Sequence, residues 1–219
     1  MARAFKRKGD RFVAKMDPME RGVVAGLMDQ TRELVAPPDR VSTGDVFEDL
    51  VAGLGVSLAA EDQHLDGSSQ GEARDGPTMA EDAAGLIDRD PALDRLLPTA
   101  HRGDDQVAAE FRRLTEYDLR DRKATNLSTA IGALRSASGD KLELSRPQAE
   151  AMVIALTDTR LLLGERLGLR TDEDALVLDE RVAALDADDP AVYAASFYDF
   201  LTWFQESLTT ALMGHSRFF

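Results

Sequence analysis

Side chains able to do acid–base, metal or nucleophilic chemistry are few in this chain and poorly spaced for it. Its three histidines, at 64, 101 and 215, are far apart, so no two share a helical turn as paired metal ligands do. They read as surface residues, and a serine–histidine triad would have only these scattered candidates for its base. Neither of the glycine-rich phosphate patterns, G-x-G-x-x-G and G-x-x-x-x-G-K-[ST], occurs. With no cysteine, the chain cannot form disulfides, cysteine–zinc sites or thiol nucleophiles. Carboxylates abound, but neighbours such as Asp188 and Asp189 read as helix-start residues, favoured by the positive end of the dipole. Catalysis, metal binding and cofactor binding are therefore not expected.

Charge offers more. The net charge is −14, yet residues 1–15 hold six bases (Arg3, Lys6, Arg7, Lys8, Arg11, Lys15) against Asp10 alone. The rest of the chain is thus still more acidic and repels a phosphate backbone at long range. Arg7, Lys8 and Arg11 are candidate contacts for a partner. A second charged run, residues 110–123, contains Arg112, Arg113 and Arg120 among alternating acids. It is either a solvated face with weak i,i+4 pairs or a docking surface. Trp203 falls off the apolar stripe of its helix, and half-covered tryptophans are common in interfaces. Arg160 lies on the same helical stripe as Met152, Leu156, Leu163 and Leu167. Inside a core it needs a carboxylate or several carbonyls, so an internal ion pair is expected there. Breaking such a pair costs roughly 2–5 kcal/mol.

The elements that would carry these residues are mainly helical. Residues 4–16 read as a basic β-hairpin turning at Gly9-Asp10, with Phe5, Phe12 and Ala14 inward. Asp17-Pro18-Met19-Glu20 opens a helix with a capping box, and Pro37-Pro38 stops it. Asp45-x-x-Glu48 starts a shorter one, completing N-terminal helices over 17–60. Residues 61–82 are too poor in apolar side chains to offset their ordering entropy and read as a flexible acidic linker. The main bundle, 83–215, has a short helix at 90–97 and a long one at 105–137, with Val107, Phe111, Leu114, Leu127, Ile131 and Leu134 buried. Ser145-x-x-Gln148 caps an apolar central helix to 167. Thr171 and Asp189-Pro190 start the last two helices, with Tyr193, Phe197, Phe200, Leu201, Phe204 and Leu208 inward on the final one. The fold class predicted is mainly α: a single helical bundle in one domain, 1–219, around a central helix at about 146–167. The longest apolar run is six residues, far short of the roughly 20 that cross a bilayer. No export signal is read after the first methionine, so a cytoplasmic location is expected.

Three segments taken together carry a resemblance: residues 96–123 (LLPTAHRGDDQVAAEFRRLTEYDLRDRK), 156–169 (LTDTRLLLGERLGL) and 198–212 (YDFLTWFQESLTTAL). The chain resembles an actinobacterial family of roughly 200 residues classed as a domain of unknown function, which includes the oxidative-stress transcriptional regulator AosR. The likeness runs through 1–213 except the linker. It implies a cytoplasmic stress-response regulator that acts with a sigma factor and RNA polymerase. Redox-responsive members are credited with a C-x-x-x-C pair, which this chain lacks. A thiol switch is excluded, and methionine, Met79 for instance, is the remaining soft target for oxidants.

Two readings stay open. One is a non-enzymatic transcriptional regulator that binds a protein partner, with no sequence-specific DNA contact of its own, since no helix gathers base-reading side chains after a turn. The other is an adaptor that dimerises or holds a partner through its C-terminal helix and Trp203.

Overall fold

A computed structural model describes residues 2–37, 90–98, 105–186 and 189–214, with backbone alone at 105–113. The expected helix at 45, the 61–82 linker, the three histidines, Met79 and the side chains of Val107 and Phe111 lie outside what is described. One compact unit comprises 1–37, 91–99 and 116–219, and the account below concerns that unit. The second, 38–90 and 100–115, falls almost wholly outside the described residues.

In chain order the elements are β1 (Arg3–Lys8), β2 (Arg11–Lys15), α1 (Pro18–Val35), α2 (Pro91–Leu96), α3 (Asp105–Ser136), β3 (Lys141–Leu144), α4 (Arg146–Arg166), α5 (Asp172–Ala183) and α6 (Pro190–Leu212). The fold is mainly helical with a small antiparallel sheet, as expected. The helix starts read at Asp17, Ser145 and Thr171 hold to the residue. Asp17 and Glu20 close a capping box on α1, Ser145 and Gln148 on α4, and Thr171 and Asp174 on α5. Each box satisfies two amide groups reciprocally, so these helix starts need no help from distant parts of the chain.

The hairpin gains a strand that periodicity did not suggest. Lys141–Leu144 pairs antiparallel with β2, giving a sheet of order β1-β2-β3. Its four residues alternate exposed and buried, with Leu142 and Leu144 inward. So short an alternation gives little signal by itself and is fixed by its long-range partner.

Phe5, Phe12, Ala14, Leu142 and Leu144 line the inner face of the sheet and join one hydrophobic core with α1, α2, α3, α4 and α6. Helix α4 is central, packing against α1, α2, α6 and strands β2 and β3. Ala149, Met152, Ala155 and Leu156 are buried along it. It is not covered all round, because Ile154 is 43% exposed. Two further inward assignments fail: Leu114 and Tyr193 are both more than half exposed. Tyr193 lies in the first turn of α6, whereas Leu201, Phe204 and Leu208 are buried further along.

Candidate functional site

Side chains opposite one another across paired strands share a face, so the register sorts the basic residues. Arg3 pairs with Lys15, which pairs with Lys141; Lys6 pairs with Val13, which pairs with Glu143; and Lys8 pairs with Arg11. Phe12, Ala14, Leu142 and Leu144 point into the core, which leaves the other set on the solvent side. That outer face carries six cations around the partly covered Val13, with Glu143 as its single acid. Glu143 is ion-paired to Lys141. Its carboxyl is held below the usual range by Lys141 first, and by Arg11 and Lys8 more weakly. Arg3, Lys6, Lys8, Arg11 and Lys15 make no hydrogen bond or ion pair with side chains among the described residues.

The three basic residues singled out in the hairpin therefore divide. Lys8 and Arg11 flank the turn on the cationic face. Arg7 lies opposite Phe12, on the other side of the sheet. Its Nε donates to the Gly9 carbonyl at 3.0 Å, and its guanidinium reaches Gly214 just past the end of α6. Cations are favoured beside a helix C-terminus, so this is a structural placement. Lys141 and Glu143 were missed because they come from a strand 126 or more residues along the chain from β2.

Arg120 is also spent internally. It pairs with Glu116 at 2.8 Å and donates to the carbonyls of Leu34 and Ala36, at 3.5 and 3.3 Å. These are among the free carbonyls at the end of α1, so Arg120 caps that helix and does not face outward. The side chains of Arg112 and Arg113 lie outside the described residues. Trp203 is 39% exposed and packs in an aromatic group with Phe200 and Phe204, centroids 5.8 and 6.2 Å away.

The ion pair expected at Arg160 is replaced by a neutral arrangement. Its Nη1 donates to Gln205 Oε1 at 2.9 Å, and the guanidinium lies 5.2 Å from the Tyr198 ring centroid. No carboxylate among the described residues pairs with it. The side chain is only partly buried, and an amide oxygen and a π-face stand in for the carboxylate, while the buried Nε has no hydrogen-bond partner among the described residues. Two positions nearby hold the more demanding charges. Asp158 is buried on α4 and accepts from Lys123 of α3 at 2.5 Å. Burial raises its carboxyl above the ordinary value, with Lys123 acting against that. Arg21, 8% exposed, donates to the carbonyls of Met16, Gly139 and Ala137 at 2.8, 2.5 and 3.1 Å. It ties α1 to both ends of the turn that leads into β3.

The depressions among the described residues of this unit include two between helices. One, about 320 Å³ between α1 and α4, is lined by Leu27, Leu34, Leu163 and Arg166 among others. The other, about 490 Å³ between α4 and α6, includes Arg160, Gln205 and Glu206. Neither gathers converging acids, and no group of metal-ligating side chains occurs among the described residues. No helix among them is long and apolar enough to cross a membrane.

Residues 2–212 match the family described as "Domain of unknown function (DUF2017)". The chain belongs to that family. Among curated relatives, a Mycobacterium leprae protein named "Putative oxidative stress regulator AosR" is 33% identical over 137 residues, 57% of this chain and 59% of that protein. "Oxidative stress regulator AosR" of Mycobacterium tuberculosis (strain ATCC 25618 / H37Rv) is 27% identical over 210 residues, 95% of this chain and 85% of that protein. The Mycobacterium bovis protein of the same name matches to the same extent. No solved structure matches the chain.

Proposed function

We propose that this DUF2017 protein is a non-enzymatic, cytoplasmic regulator of a stress response that works by contacting a protein, a sigma factor or RNA polymerase. The observation that carries this reading is the end-to-end similarity to proteins named oxidative stress regulator. The cationic sheet face agrees with it, since such a surface on an acidic chain offers a partner a local, oriented contact. Having no cysteine, this member works without a disulfide switch, so its response to oxidants, if any, belongs to methionine or to the partner.

Affinity co-purification of the full chain from native lysate, with and without peroxide, tests the reading. Recovery of a sigma factor or polymerase subunit, unchanged by peroxide, is the expected result. Recovery of the protein alone would remove the regulator reading. It would favour an adaptor that self-associates through α6, where Trp203 and Tyr193 are exposed.

A further inference from the structure

The outer face of the sheet has a composition unlike the rest of the chain. Of 26 basic residues only five are lysines, and four of those, Lys6, Lys8, Lys15 and Lys141, share this face. The fifth, Lys123, is the partner of Asp158. Like charges are set directly opposite each other at Lys8–Arg11, Arg3–Lys15 and Lys15–Lys141, an arrangement that works against the sheet. Protection of a bare edge does not account for it. The register places these side chains on the solvent side of the sheet, and on β1 the Phe5 amide already donates to Ser207 Oγ of α6 at 3.3 Å.

We infer that this face binds a short acidic segment of a partner protein. Three strands about 4.8 Å apart and roughly five residues long make a platform of about 10 by 15 Å. An extended peptide of about five or six residues covers it. The chemistry favours carboxylates over nucleic acid. Phe5 and Phe12 point into the core and no aromatic side chain of the three strands stands on this face, so no ring is present for a base to stack on. A duplex would also extend past the platform onto a chain whose net charge is −14. The inference rests on the protein-contact reading for the identity of the partner as a protein and adds its chemistry.

The test uses the full chain and a fluorescein-labelled peptide with about six consecutive glutamates, set against a duplex of about 20 base pairs. We expect the peptide to bind at about 50 mM salt and to be released at about 300 mM, with the duplex bound more weakly. Lys8→Glu with Arg11→Glu weakens the peptide roughly tenfold, and Lys15→Glu with Lys141→Glu does the same. Arg146→Glu, an exposed reversal on α4, leaves binding unchanged. Circular dichroism checks that each variant is folded. No peptide binding, reversed variants that bind the peptide as tightly as the unaltered chain, or tighter duplex binding would overturn the inference. A sigma factor or polymerase subunit that co-purifies equally with the reversed variants sinks the platform and spares the regulator reading. Peptide binding with no co-purifying partner does the opposite.

Discussion

Charges inside the helical unit and charges on the outer sheet face follow opposite rules. Inside, among the described residues, four cations are each matched to a particular acceptor: Arg21 to three carbonyls, Lys123 to Asp158, Arg160 to Gln205, and Arg95 to the Leu169 carbonyl at 2.6 Å. Each of these joins two elements and leaves little for a visitor to bind. On the sheet, five of six cations have no such acceptor, and several face each other. Cations that brace a fold are used up, whereas unmatched ones held in register by a rigid sheet remain available. The distinction follows from the cost of burial, which only the interior imposes.

The largest effect should come from breaking the interior rule. Lys123→Met keeps much of the side-chain volume but leaves the Asp158 carboxylate buried without its cation. At neutral pH we expect a loss of about 3 kcal/mol, measured by urea unfolding. The pH dependence has a definite sign. Burial already raises the carboxyl above its unfolded value, so the folded state holds this proton more tightly. The stability this proton supplies is present below the unfolded pKa and is lost as pH rises through the raised one. Removing Lys123 removes the opposing influence, so the deficit should be greatest at neutral pH and shrink as the pH falls toward about 4. A deficit that stays constant with pH would mean that Asp158 escapes to water in the variant.

Arg160 tests a milder case of the same rule. With one neutral acceptor and one ring, Arg160→Ala should cost about 1–2 kcal/mol, less than a broken buried ion pair. A loss above about 3 kcal/mol would show that a carboxylate pairs with it in solution after all.

Local features of this fold could be read from sequence and distant ones could not. The starts of α1 and α4 were legible because a capping box lies within four consecutive residues, and that of α5 from Thr171 alone, whose box with Asp174 the structure adds. Phe5, Phe12 and Ala14 were legible as an inward set because two strands and a two-residue turn contain the whole pattern. Arg160 was misplaced because a helical wheel gives the direction of a side chain but not how deeply its end of the helix is covered. Arg21 went unnoticed since two of its acceptors, Gly139 and Ala137, are 118 and 116 residues away. The site suffered likewise. Lys8 and Arg11 were visible as basic residues, but their separation from Arg7 and their company with Lys141 depend on strand pairing.

The sheet face allows the smallest and sharpest test, because function and stability should move in opposite directions there. Lys8→Glu replaces a repulsive cross-strand pair with an attractive one, the introduced carboxylate lying opposite Arg11. At low salt the variant should unfold at a slightly higher temperature, by an amount worth roughly 0.2–0.5 kcal/mol, and the gain should fade as salt is added. Glu143 supplies a local readout by NMR. Lys8 is one of the cations that hold its carboxyl low, so its pKa should rise in the variant. Acidic-peptide affinity should fall in the same protein. A variant that is more stable yet binds less would mean that the natural lysine is kept at some expense to the fold, as a binding surface requires. If Lys8→Glu lowers stability and leaves the Glu143 titration where it was, the cations are not acting on one another across the strands, and the contrast between the two regions fails.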